Sequence, residues 1–159
     1  MEARLNLMKV ARKGAYEAVS ALQHYVNTSG LEHTLLQLVE IRASQINGCA
    51  YCIDMHTKDA RALGESEQRI YLLDAWRESP FYTNRERAAL EWTEALTLIT
   101  EGHVPDQVYA SVKEQFSPEE LVNLSLAIST INTWNRLCIA FRSVPGEHRS
   151  QMKPLKASA

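Results

Sequence analysis

Two cysteines and a histidine fall within one ten-residue segment, Asn47-Gly-Cys-Ala-Tyr-Cys-Ile-Asp-Met-His56. If a helix begins near Cys49, then Cys52 lies three residues further on and His56 four residues after that, so the three side chains share one helix face. The free N–H groups and positive dipole end of a helix start favour a thiolate, and a nearby imidazole can take the thiol proton. The two cysteines can also close into a short-loop disulfide and reopen. The segment therefore predicts redox chemistry.

Two other interpretations of these residues stay open at this point. The cysteines can be small buried hydrophobic residues on a core helix. They can also belong to a structural zinc site, but zinc normally takes four ligands and the sequence has no second C-x-x-C and no H-x-x-x-H. Cys138 stands in the apolar run Leu137-Cys-Ile-Ala and is expected to be buried rather than reactive. The isolated further candidates for zinc ligands are Cys138, His103 and His148. We therefore predict no metal site and no cofactor.

Other residues that could take part in chemistry are predicted to have structural roles instead. The three tryptophans lie in helical apolar patterns and are predicted to pack in the core, and three glutamates on one helix are typical of a solvated face. The tryptophans are Trp76, Trp92 and Trp134, and the glutamates are Glu86, Glu91 and Glu94.

Composition and charge exclude several classes of protein. The 159 residues are the length of one domain, and with only 6 Gly and 5 Pro the chain has few turn residues for an all-β fold. Its 17 Lys and Arg against 19 Asp and Glu give a net charge of −2, so no positive field attracts nucleic acid or anionic lipid. The longest uncharged stretch, 121–135, is shorter than the ~20 apolar residues of a membrane span. With no apolar signal segment visible, we expect a cytoplasmic protein.

Apolar residues recur at helical spacing along nearly the whole chain, which predicts an all-α, single-domain bundle of about seven helices. Capping-box patterns mark two helix starts, at Thr83 and Ser117. The domain is expected to span residues 1–159, with a mobile tail over 146–159. The predicted helices run from Leu7 to Val26, Leu31 to Ile46, about Cys49 to Gly64, Ser66 to just before Pro80, Thr83 to Thr100, Pro105 to Phe116, and Ser117 to about Arg142.

A weak internal repeat connects two of these helices. The segments Ala43-Ser-Gln-Ile-Asn47 and Ile128-Ser-Thr-Ile-Asn132 match at an offset of 85 residues. The match is either chance on a helical background or a duplicated helical hairpin. In the second case, Trp134 and Leu137 replace the two cysteines in the second copy, and only the first copy carries chemistry.

The segment from Arg42 to Arg61, with its Ser-x-Ile-Asn, C-x-x-C and following His, resembles the signature of the AhpD-like alkylhydroperoxidases in the carboxymuconolactone decarboxylase superfamily. The segments 75–90 and 131–137 are also similar to family segments, and the resemblance covers about residues 30–145. It implies an all-helical fold with an internal repeat, a homo-oligomer that is a trimer or hexamer, and chemistry without metal, haem or flavin.

The resemblance also implies roles for the site residues. In AhpD-like enzymes the cysteine nearer the histidine attacks a hydroperoxide and the other cysteine resolves the sulfenic acid. By this likeness Cys52 is the peroxidatic cysteine, Cys49 the resolving one, and His56 relays the proton. The partners are then a hydroperoxide substrate and an external dithiol that reduces the disulfide. The function expected is antioxidant peroxide reduction.

One position departs from the family pattern. The AhpD relay uses a Glu twelve residues before the first cysteine, where this chain has Gln37. A glutamine cannot accept a proton at neutral pH, although Glu40 lies close to the same helix face and can partly replace it. On this view Gln37→Glu would accelerate peroxide reduction. The alternatives are a binding or scaffold protein with an inert thiol pair, or a lactone decarboxylase, a branch that generally lacks the C-x-x-C.

Overall fold

The computed structural model describes residues 2–153, and the regular secondary structure in this range is entirely helical. A short 3₁₀ turn, Leu73–Ala75, follows the fifth of eight α-helices. The prediction of an all-α single domain is confirmed. The α-helices are α1 (Leu7–Val10), α2 (Glu17–Asn27), α3 (His33–Asn47), α4 (Ala50–Leu63), α5 (Glu67–Leu72), α6 (Asn84–Thr97), α7 (Asp106–Gln115) and α8 (Pro118–Phe141).

Both capping boxes predicted from sequence are present. The Thr83 hydroxyl accepts from the backbone N–H of Glu86, whose carboxylate accepts from the backbone N–H of Thr83. Ser117 and Glu120 form the same reciprocal pair at the start of α8, with proline as the first helical residue. These local bonds satisfy donors that would otherwise be orphaned at a helix start, which is why the sequence alone could locate both helices.

Three helix boundaries differ from the predictions. The first predicted helix is interrupted, because Gly14 has φ 102° and separates α1 from α2. The fourth predicted helix is shorter, since α5 ends at Leu72 and continues only as the 3₁₀ turn. Pro105 precedes α7 with an extended ψ of 142° rather than standing inside it. In the first two cases the apolar spacing continues across the break, so periodicity alone could not locate it.

Helix α3 runs through the centre of the molecule and packs against α4, α6 and α8. Its apolar side chains face both of the larger core clusters, with Leu36 and Val39 in one and Leu38 and Ile41 in the other. A helix with buried side chains all round must satisfy its polar groups internally. The buried polar residues of α3 are Gln37, Glu40 and Ser44.

The two segments of the internal repeat meet in space. The Asn47 side-chain amide donates to Asn132 Oδ1 at 3.0 Å and to Asn135 Oδ1 at 2.9 Å, and Asn135 donates in turn to Ser44 Oγ at 3.0 Å. The second copy is not a hairpin at this point, because α8 continues to Phe141 whereas α3 ends at Asn47. The turn that precedes the cysteines is therefore specific to the first copy.

The glutamates of α6 do not form the solvated face that the sequence predicted. Glu94 accepts from Arg42 at 2.8 Å and from the Trp76 indole at 2.8 Å, and it also pairs with Arg77. Glu86 pairs with Arg69 at the other end of the helix. These carboxylates join α6 to α3 and to the segment around α5.

The tail beyond α8 lies against α4 in its described part. The Gly146 N–H donates to Asp54 Oδ2 at 2.9 Å, and His148 Nε2 lies 2.8 Å from Asp59 Oδ1. The remainder of the tail expected to be mobile, residues 154–159, lies outside the described residues. Within 2–153 no helix is long and apolar enough to cross a membrane.

Candidate active site

A tight turn between α3 and α4 positions the two cysteines. Gly48 adopts φ 70°, a left-handed conformation that ends α3, and the Cys49 N–H then donates back to Ser44 O at 2.9 Å. Cys49 becomes the N-cap of α4 and Cys52 lies in its first turn. Both thiols therefore lie at the positive end of a helix, as the spacing predicted.

The two thiols are in contact. Cys49 Sγ and Cys52 Sγ are 2.6 Å apart, and each residue is only 1% exposed. Both cysteines are free. A disulfide needs sulfurs about 2.05 Å apart, so oxidation requires only a small displacement of the side chains.

A third thiol joins this pair, and the sequence interpretation missed it. Cys138 on α8 is partly exposed, and its Sγ lies with those of Cys49 and Cys52 in a cluster whose sulfurs are all within 4.8 Å of one another. The sequence interpretation treated Cys138 as isolated from the pair, whereas the structure places it beside them. It stands 86 residues after Cys52, and only the packing of α8 against α4 reveals their proximity.

The three thiols also form the one group of potential metal ligands found among residues 2–153. Thiolates suit soft metals, but a tetrahedral zinc site needs a fourth ligand, and His56 is not part of this group. The donor set thus falls short of a complete structural zinc site.

The contacts among the three sulfurs favour a state in which one cysteine is a thiolate and the other two are thiols. Contacts with the Cys49 and Cys52 thiols lower the pKa of Cys138, because two S–H groups can donate to its sulfur. The contact with Cys138 correspondingly raises the pKa of Cys49 and of Cys52. Loss of one proton from the cluster is therefore easier than from an isolated thiol, and loss of a second is harder.

His56 is held in one orientation by two residues of α3. Its Nδ1 lies 3.0 Å from Gln37 Oε1 and 3.2 Å from Glu40 Oε2. Gln37 must turn its amide nitrogen to the Glu40 carboxylate, which it contacts at 3.1 Å, and so presents its oxygen to the imidazole. Because both neighbours of Nδ1 are acceptors, Nδ1 carries a proton and Nε2 is the atom that exchanges one. Nε2 is buried and has no hydrogen-bond partner in the described part of the chain.

The Glu40 carboxylate supports the imidazole from inside the core. Glu40 is 1% exposed and also accepts from Gln23 Nε2 at 2.9 Å. Burial by itself lowers the pKa of His56, but the charge of Glu40 and its hydrogen bond outweigh burial and raise that pKa above its ordinary value. The structure thus brings Gln37, Glu40 and His56 together, with Glu40 in direct contact with the imidazole.

A cavity of about 800 Å³ opens beside these groups. Cys52, His56 and Cys138 line it, whereas Cys49 does not. Trp134, predicted as a core residue, is half-buried and forms part of the wall, where its indole donates to Gln23 Oε1 at 3.2 Å. Residues before α2 and after α8 form another part of the wall, among them Ala3, Leu5, Asn6, Ser143, Val144 and Met152.

Known proteins resemble this chain in both sequence and structure. Residues 13–95 match the model of the carboxymuconolactone decarboxylase family. The chain belongs to this family. It is 46% identical over 140 residues to the uncharacterized protein YdfG of Bacillus subtilis, covering 88% of this chain and 95% of YdfG.

Solved structures place the chain within the AhpD-like branch of the family. A crystal structure of a protein of unknown function from Agrobacterium tumefaciens, suggested to be an antioxidant defence protein AhpD, is 48% identical. It superposes with a TM-score of 0.89, covering 92% of this chain and 100% of that one. The debrominase Bmp8 is 19% identical with a TM-score of 0.71 over 82% of this chain and 70% of its own, a likeness of fold alone. The chain is an AhpD-like family member, as the sequence resemblance predicted.

In this AhpD-like protein the His56–Glu40 pair is expected to make stability depend on pH. The pKa of folded His56 is raised above the unfolded value of about 6.5. Its contribution to the free energy of unfolding is therefore complete below that value and is lost as pH rises through the folded pKa. Urea unfolding of the wild type and His56→Gln should differ more at pH 6 than at pH 9. An equal difference at both pH values would contradict the pairing.

Proposed function

We propose that this chain is a thiol-dependent peroxidase that reduces hydrogen peroxide or organic hydroperoxides through Cys49 and Cys52. The observation that carries the proposal is the contact of these two sulfurs at 2.6 Å, at a helix start beside a cavity lined by Cys52 and His56. Two thiols that close to a disulfide supply the two electrons needed to reduce one O–O bond.

Access to the cavity assigns the first step to Cys52, since Cys49 does not line it. The proton of the Cys52 thiol passes to His56 Nε2 through a water in the cavity that both residues line, since Nε2 has no hydrogen-bond partner among the described residues. The thiolate then attacks the terminal peroxide oxygen. The O–O bond breaks, and the departing alkoxide takes the proton back from His56 Nε2. The products are an alcohol, or water from hydrogen peroxide, and the Cys52 sulfenic acid.

Cys49 performs the second step from its position against Cys52. Its sulfur attacks the sulfenic sulfur, and its proton leaves with the hydroxyl group as water. The Cys49–Cys52 disulfide that forms is then reduced by an external dithiol, which becomes a disulfide itself. The cycle needs a compartment that keeps thiols reduced, such as the cytoplasm.

Glu40 and Gln37 are positioning residues in this proposal. Glu40 stabilises the imidazolium that forms when His56 accepts the thiol proton, because its carboxylate lies 3.2 Å from Nδ1. Gln37 links the two side chains and fixes the plane of the ring. The carboxylate that the family has twelve residues before the first cysteine is thus replaced by one that contacts the histidine directly.

Exposure of the reduced protein to one equivalent of hydrogen peroxide should lower its intact mass by two hydrogen atoms. Peptide mapping without reductant should then detect a disulfide at Cys52, and protein alkylated beforehand should not react. Full recovery of free thiols after peroxide exposure would instead favour the scaffold alternative.

We also propose a closed homo-oligomer, a trimer or a hexamer. Large apolar side chains remain at the surface of the single chain, among them Val10, Tyr71 and Val122, which are 65%, 73% and 66% exposed. Light scattering at micromolar concentration should give a mass of three or six chains. A single species of 18.0 kDa would contradict this proposal.

A further inference from the structure

Cys138 has no role in the two-cysteine cycle, although it lies beside the two cysteines that react. Its sulfur lies within 4.8 Å of both others. It lines the same cavity as Cys52, and it is partly exposed, whereas Cys49 and Cys52 are each 1% exposed. Of the three cysteines, Cys138 is the one that is not fully buried as a residue.

Reduction of the buried disulfide poses a steric problem that peroxide attack does not. A peroxide is small enough to enter the cavity, but an external dithiol must bring a thiolate into line with the S–S bond. The segments before α2 and after α8 close part of the cavity, and Arg4 fastens the first of them to α8 through Ala140 O at 3.1 Å and Phe141 O at 3.0 Å. A protein reductant therefore has poor access to Cys49 and Cys52.

We propose that Cys138 is a third redox thiol that takes over the disulfide from Cys49 and presents it, as Cys52–Cys138, to the external reductant. This inference rests on the proposed dithiol function. The proposal adds Cys138 of α8 to the Cys49–Cys52 pair at the start of α4. Peroxide oxygen is then transferred to Cys52, whereas the external reductant attacks Cys138.

The exchange is balanced without any further reagent. The Cys138 thiolate attacks Cys52 Sγ, the Cys52–Cys138 bond forms, the Cys49–Cys52 bond breaks, and Cys49 leaves as the thiolate. The N-cap position of Cys49 at the start of α4 stabilises this leaving group. The external dithiol then attacks Cys138 Sγ, releases Cys52, and closes its own disulfide.

Cys138 must lose its proton before it can attack the disulfide. The contacts with Cys49 and Cys52 that most lower its pKa lose their S–H donors in the disulfide. Burial then raises the pKa of Cys138, and the Ser143 hydrogen bond still lowers it. The attacking thiolate therefore forms by proton transfer to a base, and His56, which lines the same cavity, is neutral again at this point of the cycle.

Disulfide mapping tests the exchange directly. Wild-type protein oxidised by one equivalent of hydrogen peroxide or by diamide, quenched with N-ethylmaleimide in acid, should contain both Cys49–Cys52 and Cys52–Cys138. Cys49→Ser treated with peroxide should form Cys52–Cys138. Recovery of an alkylated Cys138 and a Cys52 sulfenic acid from Cys49→Ser would overturn the proposal.

Reduction kinetics provide the second readout. Thioredoxin should reduce diamide-oxidised Cys138→Ser about tenfold or more slowly than the oxidised wild type, while dithiothreitol, which fits the cavity, should discriminate much less. Equal rates with thioredoxin would overturn the proposal. Diamide makes the disulfide without peroxide. The reduction rates therefore test the exchange even if the protein does not react with peroxide, and the peroxide reaction tests the proposed function by itself.

Discussion

Replacing Cys52 with serine is expected to reduce the rate of peroxide consumption by roughly a thousandfold or more, because the nucleophile is lost. A serine hydroxyl keeps its proton at neutral pH, and His56 cannot make it a comparable nucleophile toward a peroxide oxygen. Stopped-flow mixing of reduced protein with hydrogen peroxide, followed by direct assay of the remaining peroxide, measures the effect. The cavity should be preserved, since serine is nearly isosteric with cysteine.

Cys49→Ser is the matched control for this variant. Cys49 does not line the cavity, so this variant should still consume peroxide at close to the wild-type rate in a single turnover. If Cys52→Ser retained wild-type consumption and Cys49→Ser or Cys138→Ser lost it, another sulfur of the cluster would be the attacking one. The assignment of Cys52 would then be wrong, although the dithiol chemistry would stand.

The second large effect is expected at Glu40. Glu40→Gln should slow the reaction with peroxide by about a hundredfold, the usual lower range for a positioned acid–base group. A neutral amide no longer stabilises the imidazolium, so the raised pKa of His56 should fall. The substitution also leaves a single acceptor oxygen where the carboxylate serves Gln23, Gln37 and His56. NMR titration of His56, together with the pH profile of the peroxide reaction, separates this cause from general destabilisation.

Glu94→Gln is the control for loss of a largely buried carboxylate. Glu94 bonds to Arg42 and Trp76 and does not contact the imidazole, so the titration of His56 should be the same as in the wild type. A shift of the His56 titration in Glu94→Gln equal to that in Glu40→Gln would contradict a specific role for Glu40.

The structure reverses the expectation for Gln37→Glu. From sequence, a carboxylate at this position completes the family relay and accelerates the reaction. In the structure the Gln37 amide nitrogen lies 3.1 Å from Glu40 Oε2, so the substitution would bring two carboxylates together in the core. One of them must then hold a proton, and little is gained at His56. We therefore expect no acceleration, and a tenfold gain in the peroxide rate would contradict this geometry.

Local signals in the sequence located the parts of the site that lie close together along the chain. The helix start near Cys49, the shared face of Cys49, Cys52 and His56, and the proximity of Glu40 to Gln37 follow from helical spacing. Cys138 could not be placed in this way, because its contact with the pair depends on how α8 packs. The break at Gly14 was missed for a different reason, since apolar residues continue at helical intervals on both sides of it.

The central burial of α3 constrains how this protein can change. The buried residues of this helix cannot be exchanged without disturbing core packing, and Gln37 and Glu40 are among them. The walls of the cavity, by contrast, come partly from the segments before α2 and after α8, which lie outside the helical core. Selectivity for the size and polarity of a hydroperoxide can therefore vary through these two segments at little cost to stability, while the proton-handling groups stay fixed.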